Sequence, residues 1–317
     1  MISSAGIIRK EISPYLSPGI KERLLALKED YYTNLEEIRL RAGKPLLLRI
    51  GDKDYGLDYR GNMTLNLNDT YRVSEEDVFR TLASISDNSL YAFEEDIKKG
   101  FITIPGGHRV GLAGQVVMQG SEIKAMRDFS GICFRIAREI KDCARPLLSY
   151  ICRGPGGAAE NTLIISPPRC GKTTVLRDIA RALSTGSKYC LAHNVVVVDE
   201  RSEIAGCFRG IAQLDVGPRT DVLDSCPKAL GIMMAIRSLS PQVIITDEIG
   251  RSEDVKAIHE CMNAGVTIIS TIHAGDLDEV KNRALFQDLP AAAVFKNAVI
   301  LSRRNGPGTV EDIVRWG

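Results

Sequence analysis

Between residues 162 and 302 short runs rich in valine and isoleucine alternate with stretches whose apolar residues repeat at helical spacing. This alternation limits the fold more than any other feature of the chain. The runs occupy residues 162–165, 195–198, 243–246, 266–270 and 298–302. A strand that is apolar at successive positions, not at every second one, must be covered on both faces, as in a parallel sheet with helices on either side. The intervening amphipathic segments are long enough to be crossover helices, so the pattern predicts a doubly wound α/β sheet.

The first half of the chain reads differently. Residues 20–28 carry apolar side chains at helical spacing, residues 35–41 suit a helix or turn, and the chain then enters a strand over 44–50. Ser74, with Asp77 three residues on, marks a helix start whose apolar face is Val78, Leu82 and Ile85. Strands over 101–104, 109–117 and 131–137 follow, the first two separated by the turn Pro105-Gly106-Gly107. His108, beside that turn, is expected at the surface. Helical patterning gives way to a Pro/Gly-rich stretch from Arg145-Pro146 to Gly154-Pro155-Gly156-Gly157, which sets a domain boundary near residue 150. The expected architecture is a smaller α+β domain over 1–150 and an α/β domain over 151–317.

Charge and cysteine usage exclude several classes. Lys and Arg number 41 against 40 Asp and Glu, and 44% of the residues are hydrophobic. Such a balanced, soluble composition gives no global field for nucleic acid or an anionic membrane. The eight cysteines are scattered without a C-x-x-C pair or a histidine at metal-ligand spacing. They are read as reduced thiols in a cytosolic protein, with neither zinc nor disulfides. No apolar run approaches the ~18 residues that cross a bilayer, and Arg9, Lys10 and Glu11 sit where a signal peptide would be apolar. Any membrane role is expected to come through a partner.

The chemistry is concentrated after the first Val/Ile run. Ser166-Pro167-Pro168-Arg169-Cys170-Gly171-Lys172-Thr173-Thr174 has the form of a phosphate-binding loop whose first glycine is serine. Such a loop aims backbone N–H groups at phosphate from a helix N-terminus, and needs a strand before it, a lysine and a hydroxyl for Mg²⁺. Residues 162–165 supply the strand, and Val175, Leu176, Ile179, Ala180 and Leu183 give the following helix its buried face. Pro168, Arg169, Cys170, Gly171, Lys172, Thr173 and Thr174 are therefore the expected nucleotide contacts. Gly171 allows close backbone approach, Lys172 reaches the β and γ phosphates, Thr173 ligates the metal and Thr174 adds a hydroxyl.

Two later strands end in Asp-Glu: Asp199-Glu200 and Asp247-Glu248. Acids at the carboxyl ends of strands stand where open α/β sheets bind ligands. One pair can hold Mg²⁺ through water while its glutamate orients the attacking water, and the sequence leaves open which glutamate is the base. A third strand delivers His273 to the same edge, where it can sense the γ-phosphate. His193 and His259 are expected to be structural or merely exposed.

In this order the motifs resemble those of the secretion ATPase superfamily, the RecA-like motors of type II and type IV secretion and pilus machines. Asp199-Glu200-Arg201-Ser202-Glu203-Ile204 is similar to the acidic box, residues 243–250 to Walker B, and Ser270-Thr271-Ile272-His273-Ala274 to the histidine box. Glu36-Glu37-Ile38-Arg39-Leu40-Arg41 and Gly106-Gly107-His108-Arg109-Val110-Gly111 extend the likeness to a sporulation branch over nearly the whole chain. Two departures are Ser166 and the Asp247-Glu248 pair, where many secretion ATPases have Gly-Glu.

The resemblance implies a RecA-like P-loop NTPase domain behind a smaller N-terminal domain. It also implies a Mg²⁺-dependent ATPase, with Glu248 first and Glu200 and His273 beside it in catalysis, and with Thr173 and, through water, Asp247 at the metal. It further implies a ring oligomer, expected to be a hexamer, in the mother-cell cytoplasm. There it would energise a channel between mother cell and forespore through membrane-anchored proteins of the stage III sporulation channel complex. Arginines of the N-terminal domain would complete the site, with Arg127, Arg135 and Arg138 as candidates, and Arg209, Arg219 and Arg237 could also face a phosphate or a neighbour. The rivals are an ATP-binding assembly protein with negligible turnover and a RecA-like nucleic-acid motor. The charge balance and the lack of a basic, aromatic-interleaved stretch count against the second, so no nucleic acid is expected.

Overall fold

The computed structural model describes residues 4–51, 53–89, 93–153, 157–283, 286 and 291–316. The chain divides into two compact units, 1–138 and 139–317. The division falls before the Pro/Gly-rich stretch at which the sequence reading set it, because the helix Arg145–Ile151 buries Leu147, Leu148 and Ile151 in the core of the second unit. Gly154, Pro155 and Gly156 of that stretch lie outside the described residues.

Among the described residues the first unit is built on an antiparallel sheet. Its strands are β1 (Leu35–Arg41), β2 (Leu47–Ile50), β3 (Lys53–Leu57), β4 (Met63–Thr64), β5 (Phe101–Ile104), β6 (His108–Gln119) and β7 (Glu122–Arg135). They lie in the order β4-β3-β2-β1-β7-β6-β5. Residues 35–41 are a strand, not the helix or turn expected, and their buried positions include Ile38 and Leu40. Those side chains join Leu48, Ile102, Val110 and Phe134 in a core closed by Ile20 and Leu24 of one helix and Val78 and Leu82 of another.

The second of those helices, Glu75–Ile85, begins as expected. The Ser74 hydroxyl accepts the Asp77 N–H at 3.1 Å while the Ser74 N–H donates to the Asp77 carboxylate at 3.0 Å. Asp77 also accepts the hydroxyls of Ser17 and Tyr71, so one carboxylate pins three segments. His108 is buried, contrary to expectation. Its Nε2 lies 2.8 Å from Glu11 and its Nδ1 accepts the Ala137 N–H at 3.0 Å.

The second unit carries the expected α/β architecture. Its strands are β8 (Thr162–Ile165), β9 (Val195–Asp199), β10 (Thr220–Asp224), β11 (Val243–Thr246), β12 (Thr267–Ile272), β13 (Asn297–Ser302) and β14 (Thr309–Arg315). The order is β10-β9-β11-β12-β8-β13-β14, and only the β13–β14 pair is antiparallel. Each central strand buries both faces, as continuous apolar runs require. Ile164, Val195, Val197, Ile245 and Ile269 face the helices Arg145–Ile151 and Lys172–Thr185. Leu163, Ile165, Val196, Val198 and Ile244 face Lys228–Ser238 and Ser252–Asn263. These four strands are parallel, so the carboxyl ends of β8, β9, β11 and β12 lie at one edge, where such sheets bind ligands.

The expectation of uniformly reduced cysteines is corrected. Cys152, just after the helix Arg145–Ile151, and Cys190, before β9, form a disulfide with their Cα atoms 5.4 Å apart. Packing of that helix against the segment leading into β9 brings the two thiols together, which scattered sequence positions do not reveal. No helix among the described residues is long and apolar enough to cross a membrane.

Candidate functional site

The site grows from the turn between β8 and the helix Lys172–Thr185. A helix of this length leaves its first N–H groups without intrahelical partners, facing the loop. The loop is shaped by two residues with positive φ, Arg169 at 61° and Gly171 at 83°. A side chain on Gly171 would also meet the Gly308 nitrogen at 2.8 Å, because the turn between β13 and β14 packs on the loop. The Gly308 N–H donates to the Cys170 carbonyl at 2.8 Å. Glycine is thus required at 171 by conformation and by the C-terminal turn.

Ser166 is more than a tolerated replacement. It is fully buried at the end of β8, and its hydroxyl lies 3.3 Å from the Lys172 ammonium, which also donates to the carbonyls of Ser166 and Pro167. The same ammonium lies 2.8 Å from Nδ1 of His273, and Nε2 of His273 lies 3.1 Å from the Glu248 carboxylate. An ammonium can only donate, so Nδ1 accepts and the proton of the neutral ring sits on Nε2. Lys172 at the start of its helix, His273 just after β12 and Glu248 just after β11 therefore stand in one line, with a hydrogen bond from Lys172 to His273 and an ion-pair distance of 3.1 Å from His273 to Glu248. Burial pulls the Lys172 ammonium below the usual lysine range, opposed by the Glu248 charge. Arg283 fixes the far end by donating to the His273 carbonyl, and Arg201 reaches within 3.9 Å of Glu248.

The two Asp-Glu pairs, equivalent in sequence, are not equivalent in structure. The Asp199 carboxylate is fully buried and accepts the N–H groups of Glu203, Ile204 and Ala205 at 2.9, 3.0 and 2.9 Å. It closes the loop after β9, and burial pushes its pKa up to about 6 against those donors. Asp247 instead meets the ammonium of Lys228 at 2.8 Å, and Glu200 meets the same ammonium at 2.7 Å. Ser270 holds the Asp247 backbone by donating to the carbonyls of Thr246 and Asp247. Asp254 orders the next turn by accepting the N–H groups of Gly250 and Arg251.

Sequence reasoning missed Lys228 and Arg177. Arg177, buried on the phosphate-loop helix, donates to the carbonyls of Ile204 and Glu203 and so ties that helix to the acidic loop. Lys228 opens an otherwise apolar helix, Ala229 to Ala235, and that isolation was the only signal available. Thr173 and Thr174 lie half-buried on the first helical turn. Glu200, Asp247, Glu248 and His273 stand with Lys172 at the same sheet edge. His259 is exposed, and His193 is buried, with its Nε2 3.4 Å from the Ala159 nitrogen.

The arginine candidates have different environments. Arg138 donates to the carbonyls of Tyr32 and Leu35 at 2.6 and 2.7 Å. Arg127 is exposed and bonded to Gln115, and Arg135 is exposed on β7. Arg219 donates to the Ser184 carbonyl, while Arg209 and Arg237 are exposed.

The carboxylates of Asp247 and Glu200, which meet at the Lys228 ammonium, are hard oxygen donors of the kind that suit Mg²⁺ with its waters. A mostly parallel sheet with a lysine-bearing loop at a helix start and acids at the ends of neighbouring strands makes the second unit an α/β domain of RecA-like P-loop fold. The comparisons agree. The X-ray structure of the Legionella pneumophila ATPase DotB matches with a TM-score of 0.59 at 16% identity, over 87% of this chain and 74% of that one. The pilus retraction motor PilT with bound ADP matches with a TM-score of 0.54 at 14% identity, over 86% and 76%. The chain belongs to the family described as "Sporulation stage III, protein AA", whose model matches residues 8–315. It is 44% identical over 304 residues to stage III sporulation protein AA of Bacillus subtilis (strain 168), covering 96% of this chain and 94% of that protein.

Proposed function

We propose that the second unit binds ATP with Mg²⁺ and hydrolyses it, and that the protein works as a ring that energises a channel complex of sporulation. The observation that carries this is the line Lys172–His273–Glu248 beside the carboxylates of Asp247 and Glu200. Lys172 and the amides of the Pro168–Thr174 loop would bind the phosphates. Thr173 and, through water, Asp247 would hold Mg²⁺, which supplies charge neutralisation at the β and γ oxygens when bound. Glu248 takes the role of water activation, its carboxylate lying 3.1 Å from Nε2 of His273. Glu200, paired with Lys228, is the poorer base. His273 links the phosphate lysine to that base and so relates nucleotide state to the rest of the site.

The membership in a sporulation family and the fold shared with DotB and PilT support a motor role in the mother-cell cytoplasm, with membrane-anchored partners and a hexameric ring. Arg127 and Arg135 are the solvent-facing candidates for completing a neighbour's site. The first experiment is Mg²⁺-dependent ATP hydrolysis against protein concentration, with Lys172→Ala alongside. Turnover that rises faster than linearly and vanishes in the variant is expected. Equal turnover in Lys172→Ala would overturn the assignment, ATP binding without turnover would favour an assembly protein, and stimulation by DNA a nucleic-acid motor.

A further inference from the structure

Lys228 is a buried ammonium between two carboxylates that the proposed mechanism needs, and nothing in that mechanism uses it. Its side chain is 7% exposed, against 11% for Asp247 and 27% for Glu200. An isolated ammonium at such a depth is costly, so its place must be set by its partners. Asp247 is supplied by the end of β11 and Glu200 by the end of β9, whereas Lys228 is the first residue of the helix Lys228–Ser238. Gly231, one turn on, lies against Val198, where a Cβ would stand 2.5 Å from that valine side chain, so the helix start is seated directly on β9. Three elements thus meet at one cation.

We propose that Lys228 is a positioning residue that holds Glu200 and Asp247 apart in charge and together in space, so that Mg²⁺ is taken up with nucleotide and not by the bare carboxylates. This rests on the ATPase reading above. Two carboxylates that both reach one ammonium nitrogen within 2.8 Å are near enough to bind a divalent ion directly once that ammonium is gone. With Lys228 between them, one of their two negative charges is balanced and both carboxylates are engaged, so the metal must bring the phosphate charge to be held well. The bridge also fixes the rotamer of Asp247, the proposed ligand through water, and withdraws Glu200 from competition with Glu248 for the attacking water.

The test is thermal unfolding of the full chain with and without Mg²⁺ alone, read with Mn²⁺ binding by electron paramagnetic resonance, for the parent, Lys228→Met and Lys228→Arg. The parent should respond weakly to the metal alone. Lys228→Met should gain a clear Mg²⁺-dependent rise in melting temperature and a Mn²⁺ site, with at least ~10-fold tighter metal binding, while Lys228→Arg stays near the parent. Adding Glu200→Gln to Lys228→Met should remove that gain and recover part of any lost stability, which keeps the test informative if Lys228→Met is poorly folded. A folded Lys228→Met with no greater metal response than the parent overturns the proposal. Binding of a fluorescent ATP analogue with Mg²⁺, measured on the same proteins, separates the two readings. Failure of the parent to bind it removes the ATPase reading, whereas the response to metal alone decides on Lys228.

Discussion

At the scale of single residues, identical sequence pairs acquire different work from their surroundings. Asp199-Glu200 and Asp247-Glu248 both follow valine or isoleucine strands, yet Asp199 is consumed by three backbone N–H groups and Asp247 by a lysine. That Lys172, Glu248 and His273 would meet at one sheet edge was legible, because strand ends converge in an α/β sheet. Their order, with His273 between the lysine and the glutamate, was not, since it depends on how far three side chains reach. That order makes a prediction. His273→Ala removes the side chain that lies 3.1 Å from Glu248 without removing the proposed phosphate ligands, so turnover should fall by about 10²-fold while affinity for an ATP analogue changes by less than about threefold. A matching loss of affinity would make His273 a phosphate contact instead. Ser166→Gly restores the usual loop residue but deletes a buried hydroxyl bonded to Pro167 and near Lys172. It should bind nucleotide as the parent does and lose about 1 kcal/mol of stability, measurable by denaturant unfolding.

At the scale of elements, the strands that the sequence missed are those without a continuous apolar run. β10 is an edge strand of half-exposed side chains, and β14 alternates with charged residues, so neither stands out as a buried parallel strand does. The strand at 35–41 was obscured by Glu36, Glu37, Arg39 and Arg41, whose charges mask the buried Ile38 and Leu40. Packing hidden from sequence also buries His108 against Glu11. Burial, opposed by the hydrogen bond to Glu11, holds its pKa below the usual histidine range. The unfolded chain takes up this proton near pH ~6.5 and the folded one only at lower pH. The stability it contributes is therefore whole above that value and declines as pH falls toward the folded pKa. Between about pH 7.5 and 5, His108→Gln should lose less stability than the parent, and an equal loss would show that other groups govern the acid limb. The disulfide belongs to this scale too. Under denaturing conditions without reductant, six of the eight cysteines should react with a thiol reagent, and eight would mean that Cys152 and Cys190 pack as free thiols.

At the scale of the whole molecule, each unit has its own buried core. One is centred on Ile38, Leu48 and Phe134, and the other lies on the two faces of the parallel sheet. Every residue of the proposed nucleotide site, from Pro168 to His273, belongs to 139–317. Binding and turnover should then separate on truncation. A fragment of residues 139–317 retains Lys172, Thr173, Lys228 and the carboxylates, so it should bind an ATP analogue within about threefold of the full chain, a difference under 1 kcal/mol. If arginines such as Arg127 or Arg135 complete a neighbour's site, the fragment lacks them. Its turnover should stay low and linear in protein concentration, where that of the full chain rises more steeply. Missing electrostatic stabilisation of transferring phosphoryl oxygens costs about 10³-fold or more in such enzymes, large enough to see above background. A fragment that hydrolyses ATP as fast as the full chain would place the whole catalytic apparatus in 139–317, leaving the first unit to partner binding alone. Fast turnover restored by adding the separate unit 1–138 would instead locate the missing group there, and Arg127→Ala and Arg135→Ala in that unit would identify it.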